Sequence, residues 1–351
     1  MAATLVWALF ATTQPLLRFH VALQIGVRLF LITALAALAI GSLLRFVVRH
    51  ATMSSTRKNV ALTSTVVLLL FLLLEAVFTV LPRSHSFGSS LAARRWHDYF
   101  WKPMNAYNYR DRPIPDDLQD RDAVYVVGDS FTAGYGIVDR RDRFSDVLGT
   151  LLPEQTVVVN LGIRGSDTRS AVARLAAAAV SPRVVVYQYF GNDIEPAAQD
   201  HGRTFTYAPY AGVPGLVRRL VENSYLLNFV YWFLPRTLNE DYKEFLTALY
   251  ADPTIMGAHR DDLGALIRVS EQRGARLLVV IFPFMHAPDD SRFFVDPVAD
   301  FFRQRGVAVL DVSELIRDLE PQECVVNAND AHASVEVHHR VGRALHEMLT
   351  P

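Results

Sequence analysis

Three residues that together could carry out acyl transfer stand downstream of residue 120. Ser130 lies in the run Gly128-Asp129-Ser130, and Asp330 precedes His332 by two residues near the C-terminus. A serine hydroxyl is a weak nucleophile until a base takes its proton. His332 is the candidate base, and Asp330 is the candidate carboxylate that orients its imidazole. We therefore predict Ser130 as a nucleophile that His332 and Asp330 activate.

Acyl transfer also needs hydrogen-bond donors for the charge that develops on the carbonyl oxygen. The candidates are the backbone N–H groups of Ser130 and Gly162 and the side-chain amide of Asn192. A glycine at 162 would let its N–H approach the substrate without an intervening side chain. Each signal is weak when taken alone, because Gly-Asp-Ser can be a helix cap and Gly191-Asn192-Asp193 is typical of a turn.

The elements that must position these residues are short β-branched runs that alternate with helical stretches. The predicted strands are Ala123–Gly128, Thr156–Asn160, Arg183–Tyr189, Arg276–Phe282 and Val307–Val312. The predicted helices between them include Ser170–Val180, Gly257–Arg273 and Val295–Arg305. This alternation predicts an α/β fold with a parallel sheet covered on both faces. Ligands of such sheets bind beyond the carboxyl ends of the strands, which is where the candidate residues fall.

The ordered set of motifs resembles the SGNH (GDSL-type) hydrolase family. Its four blocks match Gly128-Asp129-Ser130, Gly162, Gly191-Asn192-Asp193 and Asp330-x-His332. The runs Asn108-Tyr109-Arg110-Asp111 and Gly128 to Gly136 look like the membrane-anchored bacterial branch. The resemblance covers about residues 105 to 350. It implies a flavodoxin-like three-layer α/β/α fold, a Ser-His-Asp mechanism with the three oxyanion donors, and ester cleavage or acyl transfer to a sugar hydroxyl.

The sequence departs from the family pattern around the histidine. The family often places its aspartate three residues before the histidine, where this chain has Asn329, although the two-residue spacing of Asp330 also occurs. Asp330, Asn329 or a backbone carbonyl could therefore orient the ring. His338 and His339 compete with His332, but a last helix that begins near Ser334–Glu336 would direct them to its packing and solvent faces.

The N-terminal third contains two long apolar segments, Val27 to Leu44 and Val60 to Leu81. A bilayer core takes roughly 20 apolar residues of helix, a length that the second segment meets and the first approaches. We predict N-terminal transmembrane helices, because the alternative of buried core helices fits poorly with uninterrupted leucine runs. The loop between the segments is basic, and short basic loops stay cytoplasmic. Its cationic residues are Arg45, Arg49, Arg57 and Lys58.

This orientation places everything after Leu81 outside the cytoplasm. Residues 3 to 17 are also apolar and form either a third span or an interfacial segment. Glu75 is either a functional intramembrane carboxylate or a residue within reach of the interface. The predicted domains are a membrane anchor at 1–82, a connecting segment at 83–119 and a catalytic domain at 120–351 with a helical insert at about 196–256. The many aromatic residues of the insert either pack its helices or form a lid or acyl pocket.

Composition and missing motifs exclude several other classes of function. The formal net charge of −1 offers no basic face for nucleic acid. A single cysteine, Cys324, excludes an intrachain disulfide and cysteine-based zinc clusters. The adjacent pair His338-His339 would point about 100° apart on a helix, which disfavours a shared metal. Motifs for dinucleotides, nucleoside triphosphates and metalloproteases are missing from the sequence, so we expect no cofactor and no metal.

Two functions remain open on the sequence. The first is an extracytoplasmic serine esterase or O-acyltransferase that forms an acyl-Ser130 intermediate on acyl esters, acetyl esters foremost, of a glycan or lipid. The second is a non-catalytic glycan-binding or scaffolding module that keeps the fold. The intact set Ser130, Asn192 and His332 favours the enzyme. Hydrolysis and transfer share the first half-reaction, so the sequence does not separate them.

Overall fold

The computed structural model describes residues 15–50, 54–102, 104–234 and 238–350. The chain divides into two compact units. The first, here called the helical unit, comprises Met1–Tyr99 and Tyr210–Pro235. The second, here called the sheet unit, comprises Phe100–Pro209 and Arg236–Pro351. Most of the apolar segment at residues 3 to 17, namely residues 3 to 14, lies outside the described residues. The third predicted span therefore stays a prediction.

The elements of the chain change at residue 122 from helices alone to strands that alternate with helices. In chain order they are α1 (Pro15–Arg49), α2 (Ser55–Val80), α3 (Leu91–Trp96), β1 (Asp122–Val127), α4 (Ser130–Ala133), α5 (Phe144–Leu151), β2 (Thr156–Asn160), α6 (Thr168–Ala177), β3 (Val184–Tyr189), α7 (Glu195–Asp200), α8 (Gly215–Asn223), α9 (Tyr225–Phe233), α10 (Leu238–Ala251), α11 (Pro253–Gln272), β4 (Arg276–Ile281), α12 (Arg292–Arg303), β5 (Ala308–Asp311), α13 (Val312–Leu315), α14 (Pro321–Cys324), β6 (Val325–Asn327), β7 (Asp330–Ala333) and α15 (Val335–Leu349). A π-helical turn spans His97–Trp101, and 3₁₀ turns span Leu118–Asp120, Arg140–Asp142, Gly191–Ile194 and Pro288–Ser291.

The sheet unit is built on five parallel strands in the order β2-β1-β3-β4-β5. This is the flavodoxin-like order, which places a crevice for ligands between the first and third strands at their carboxyl ends. The predicted α/β fold class with a parallel sheet is therefore confirmed. Strand β2 has the predicted bounds, and the other four lie within one or two residues of theirs.

Helices cover both faces of the sheet because its strands bury side chains on both sides. In β1, Tyr125 and Val127 face a core that α6, α11 and α12 complete. The alternate residues Val124 and Val126 face the opposite core, which contains side chains of α5 and α15. This arrangement is the three-layer α/β/α architecture that the family resemblance implied.

The helical unit contains two helices that are long and apolar enough to cross a membrane, Val21–Arg49 within α1 and Ser55–Val80. Most of their apolar side chains are exposed, including Phe30, Leu38, Val67 and Leu73. A core helix of a soluble fold would bury such side chains, so this exposure does not fit the alternative of buried core helices. The first helix is longer than the predicted segment that begins at Val27.

The predicted insert at about 196–256 is divided between the two units. Residues 210–235, which include α8 and α9, group with the N-terminal helices rather than with the sheet. Within the helical unit Phe229 packs against Phe78 with ring centroids 4.5 Å apart, and Trp232 packs against His85 at 4.7 Å. Phe229 and Trp232 therefore pack within the helical unit, and the choice between helix packing and a lid or acyl pocket for the insert as a whole stays a prediction.

Candidate active site

Ser130 stands at the point where β1 gives way to α4. Strand β1 ends at Val127, and Asp129 caps the helix by accepting a hydrogen bond from Phe131 N–H at 2.8 Å. Burial raises the pKa of the Asp129 carboxyl to about 6. Because Ser130 is the first residue of the helix, its N–H has no partner within the helix. The sharp turn leaves the Ser130 side chain only partly buried.

Gln188 holds the backbone around Ser130 from the neighbouring strand β3. Its Oε1 accepts hydrogen bonds from Asp129 N–H at 2.9 Å and from the Thr132 hydroxyl at 3.0 Å. Sequence reasoning did not identify this residue. The signal that could have revealed it is a polar side chain inside a strand whose six residues are all buried, because buried amides are kept where they satisfy a specific partner.

A short hairpin formed by β6 and β7 presents the candidate base. The two strands pair antiparallel, with Asn327 opposite Asp330. His332 Nε2 lies 2.9 Å from Ser130 Oγ, and His332 Nδ1 lies 2.5 Å from Asp330 Oδ1. The Asp330 side chain is fully buried. With Nδ1–H donating to Asp330, the neutral ring has Nε2 free of its proton, and Nε2 can accept the serine proton.

Two aromatic rings and a glycine shape the surroundings of His332. Its ring centroid lies 5.1 Å from that of Phe131 and 4.9 Å from that of Tyr135. Gly136 has φ of +85°, and a Cβ there would come within 2.5 Å of Val326 and 3.0 Å of Asp330 Oδ2. Only glycine therefore lets this loop run close against the hairpin. The packing restricts the imidazole to an orientation that faces Ser130.

The competing residues near the C-terminus bond elsewhere. His338 Nδ1 accepts a hydrogen bond from Phe144 N–H at 3.2 Å, and burial lowers the pKa of His338 to about 3. His339 Nε2 lies 3.1 Å from Asp142. Asn329 occupies the hairpin turn, where its N–H donates to Asn327 Oδ1 at 2.9 Å. The last helix begins at Val335 with Ser334 as its N-cap, so His338 and His339 lie on a helix that starts within the predicted range.

Gly162 lies beside α4, the helix that begins at Ser130, but its backbone N–H already donates a hydrogen bond. It donates to Asn160 Oδ1 at 2.9 Å. A Cβ at position 162 would lie 2.4 Å from Ala133 N, so glycine is required by close packing against α4 rather than by an open approach to substrate. As an oxyanion donor, Gly162 N–H could act only by sharing its hydrogen between Asn160 and the substrate.

Asn192 lies in the 3₁₀ turn that follows β3, the strand next to β1 in the sheet. The Asp193 carboxylate fixes this turn by accepting hydrogen bonds from Phe190 N–H at 2.9 Å and from the Tyr187 hydroxyl at 2.7 Å. Tyr250 also supports it by donating to Gly191 O at 3.0 Å. Within the described part of the chain, the buried Oδ1 of Asn192 makes no hydrogen bond. The turn is thus held by its neighbours, and the Asn192 amide is not needed to hold it.

We expect Asn192→Ala to lower kcat by about 10²- to 10³-fold, the usual scale for one lost oxyanion donor. Thermal stability should change little because Asp193 and Tyr250 hold the turn. Steady-state hydrolysis of an acetyl ester and a melting curve of the same preparation check both parts. Asn192→Asp, which keeps the shape and removes the donor, should be at least as damaging. A normal kcat with a lower melting temperature would mean that Asn192 serves the turn alone.

The run Asn108-Tyr109-Arg110-Asp111 makes hydrogen bonds to backbone segments that adjoin the site. Arg110 is buried and donates to the carbonyl oxygens of Gly134 at 2.5 Å and Ile137 at 2.6 Å. Burial and the neighbouring Arg143 lower the pKa of Arg110 to about 9, so it remains a cation at neutral pH. Asp111 accepts from Asn160 N–H at 2.8 Å. The run therefore positions the loop that follows α4 and the end of β2.

Comparisons with known proteins identify a family and several solved structures to which the chain is similar. A family model described as GDSL-like Lipase/Acylhydrolase matches residues 126–340. A search of curated proteins finds no match. Similar solved structures include TesA, with 18% identity over 65% of this chain and 98% of that one and a TM-score of 0.41. A carbohydrate acetylesterase family member from Sinorhizobium meliloti is 17% identical over 65% and 97% of the two chains, with a TM-score of 0.35. The esterase EstA from Pseudoalteromonas sp. is 14% identical over 64% and 95%, with a TM-score of 0.38.

Proposed function

The chain belongs to the GDSL-like lipase/acylhydrolase family, and we propose that it is a membrane-anchored serine esterase or O-acyltransferase. It acts outside the cytoplasm on acyl esters, acetyl esters foremost, of a glycan or lipid. The hydrogen-bonded series Ser130, His332 and Asp330 is the observation that carries this proposal. Such a series has no use in a module that only binds.

The proposed reaction runs in two halves through an acyl-Ser130 intermediate. Ser130 Oγ attacks the carbonyl carbon while His332 Nε2 takes the hydroxyl proton, and Asp330 stabilises the imidazolium that forms. The tetrahedral oxyanion accepts hydrogen bonds from Ser130 N–H and the Asn192 amide. The ester C–O bond then breaks, and His332 returns the proton to the departing oxygen. In the second half, water or a glycan hydroxyl attacks the acyl carbon and gives its proton to His332, the bond from that carbon to Ser130 Oγ breaks, and His332 returns the proton to Ser130 Oγ.

The decisive experiment follows an isotope-labelled acetyl group in the presence and absence of the protein. With acetylated envelope polysaccharide, release of free acetate indicates hydrolysis. Appearance of the label on an unacetylated acceptor glycan indicates transfer. Covalent labelling of Ser130 by a fluorophosphonate probe distinguishes either enzyme from the glycan-binding module. Failure to label, together with unchanged acetate on every substrate, would contradict the enzymatic proposal.

Helix length and charge support the proposed anchoring and orientation. Helix α2 has 26 residues, which at 1.5 Å per residue is about 39 Å and exceeds a hydrocarbon core of about 30 Å. Cationic residues flank the connection between α1 and α2, including Arg45 and Arg49 before it and Arg57 and Lys58 after it. By the positive-inside rule this connection is cytoplasmic, and the chain after Leu81 is outside.

We expect an epitope tag inserted next to Ser54 to be shielded from protease added to intact spheroplasts. The chain beyond Leu81 should be digested under the same conditions, because it is exposed on the outer side. Immunoblots against the tag and against the C-terminus check this result. Lysed spheroplasts provide the control, since both regions should then be cut. A digested tag with a protected C-terminus would place the catalytic region in the cytoplasm.

A further inference from the structure

Residues 215–233 form a helical hairpin of α8 and α9 within the helical unit, and its turn is built around Glu75 of α2. Glu75, only 5% exposed, accepts hydrogen bonds from the Ser224 hydroxyl at 2.7 Å and from the N–H groups of Tyr225 and Leu226, both at 2.9 Å. Arg28 of α1 pairs with Glu75 at 2.6 Å. The carboxylate thus joins α1, α2 and the hairpin.

Backbone groups at the end of α8 and at the start of α9 have protein partners at this turn. The N–H groups that begin α9 all have partners, because Leu227 donates to Ser224 Oγ at 3.1 Å and Asn228 donates to Ser224 O at 2.9 Å, in addition to the two bonds to Glu75. At the end of α8, Arg28 donates to Asn223 O. Helix ends in water are satisfied by side-chain caps or by solvent, whereas hydrocarbon requires protein partners for them, and this turn meets that requirement at the groups named.

The level of Glu75 along its helix places this turn near the outer boundary of the bilayer. Glu75 is 20 residues beyond Ser55, the first residue of α2, a rise of about 30 Å. Arg28 is 21 residues before Arg49, the last residue of α1, a rise of about 31 Å. Both charged groups therefore stand about one hydrocarbon thickness from the cytoplasmic ends of their helices.

From this turn α9 runs outward beside the end of α2. Along α9, Tyr225 donates its N–H to Glu75, Phe229 contacts Phe78, and Trp232 contacts His85. Tyr210 stacks on Tyr231 near the end of α9 and lies under Arg218 near the start of α8, so α8 runs antiparallel to α9 and approaches the turn from the outer side. The two helices form a re-entrant path that enters and leaves on the same side of the bilayer.

The outward faces of the hairpin are apolar. On α8, Leu216 is 72% exposed and Leu220, one turn later, is 51% exposed. On α9 and just after it, Val230, Phe233 and Leu234 are exposed and share one face by their spacing. The opposite side of α8 carries Arg218 and Glu222. A short helix with an exposed apolar face and a charged polar face is typical of an element that lies in a membrane interface.

We propose that residues 215–234 lie in the outer membrane interface as a hairpin whose turn reaches the hydrocarbon boundary, with lipid headgroups and the adjoining acyl segments covering Leu216, Leu220, Val230 and Phe233. Leu73 and Val77 of α2 are also exposed, and they face lipid if α2 spans the bilayer. Arg218 reaches the lipid phosphates from the polar face. This inference rests on the proposed membrane anchoring, and it adds a second membrane contact in a segment that the sequence places within the catalytic region.

The test uses the full-length protein in phosphatidylcholine–phosphatidylglycerol vesicles, with single cysteines labelled by the fluorophore NBD. Leu220→Cys and Phe233→Cys probe the apolar faces, Arg218→Cys is the matched control on the polar face of α8, and Asp261→Cys reports an exposed position of the sheet unit. Leu70→Cys, at an outward position of α2, tests the span itself. The native Cys324 is buried, and the unsubstituted chain measures its background.

At positions 220 and 233 we expect blue-shifted emission that lipids spin-labelled high in the acyl chain quench and that iodide does not. The labels at 218 and 261 should respond to iodide. Iodide quenching at 220 and 233, with lipid quenching retained at 70, would overturn the hairpin and leave the anchor intact. Labels at 220 and 233 that neither quencher reaches would also overturn it, because a second copy of the chain would then cover this face. Loss of lipid quenching at 70 would overturn the anchor and the hairpin together.

Discussion

Replacing Ser130 with alanine should lower kcat/KM for acetyl esters by about 10⁴- to 10⁶-fold, the range found when a serine nucleophile is removed. The chain should stay folded because the turn around Ser130 does not depend on its hydroxyl. Asp129 caps the helix through Phe131 N–H, and Gln188 holds Asp129 N–H. All three measurements use the detergent-purified variant. Ester hydrolysis measures the loss of turnover, fluorophosphonate labelling measures the loss of the nucleophile, and a melting curve measures whether the fold is kept.

Ser166→Ala is the matched control for this experiment. Ser166 lies in the loop that follows β2, and its buried hydroxyl makes no hydrogen bond to the described residues. Removing it should leave turnover within about twofold, since no stabilising bond is lost. Near-normal turnover or continued fluorophosphonate labelling of Ser130→Ala would contradict the serine mechanism. A large loss in Ser166→Ala would show that the first result reflects general damage to the sheet edge.

The sheet and the placement of the candidate residues could be predicted because their signals are local. Buried strands such as Val184–Tyr189 read as continuous apolar runs, and parallel strands bring their carboxyl ends to one edge. Ser130 and Asn192 each follow a strand, so their neighbourhood follows from the strand order. Local signals were not enough to predict the position of His332, because its hairpin has only short strands of three and four residues. There the family resemblance supplied the position.

The features that sequence reasoning missed depend on partners far apart in the chain. Gln188 acts on Asp129 across 59 residues, and Glu75 caps α9 across about 150 residues. No periodicity encodes such pairs. The Gly162 N–H was expected to be available to substrate, but Asn160, two residues earlier, takes it. An Asn-x-Gly sequence at a strand end is compatible with either outcome, and only the direction of the Asn160 side chain decides between them.

Replacing His332 with alanine should be about as damaging as replacing Ser130, again about 10⁴- to 10⁶-fold in kcat/KM. The reason is that the Ser130 hydroxyl lies 2.9 Å from His332 Nε2 and has no comparable base once the ring is gone. His339→Ala is the matched control, because His339 lies on α15 and contacts Asp142. It should retain turnover within about twofold, as expected for a partly exposed residue outside the site. Equal losses in the two variants would contradict the assignment of His332 as the base.

The double variant Ser130→Ala/His332→Ala gives the sharper test, because it asks whether the two residues act as one unit. Two independent contributions would multiply, and the double variant would lose about 10⁸-fold or more. If His332 acts only by taking the Ser130 proton, its loss removes nothing further once the hydroxyl is absent. The double variant should then retain the residual rate of either single variant, which comes from binding and from the oxyanion donors. Turnover assays with high enzyme concentration measure this residual rate, and a multiplicative loss would mean that His332 contributes to catalysis separately from Ser130.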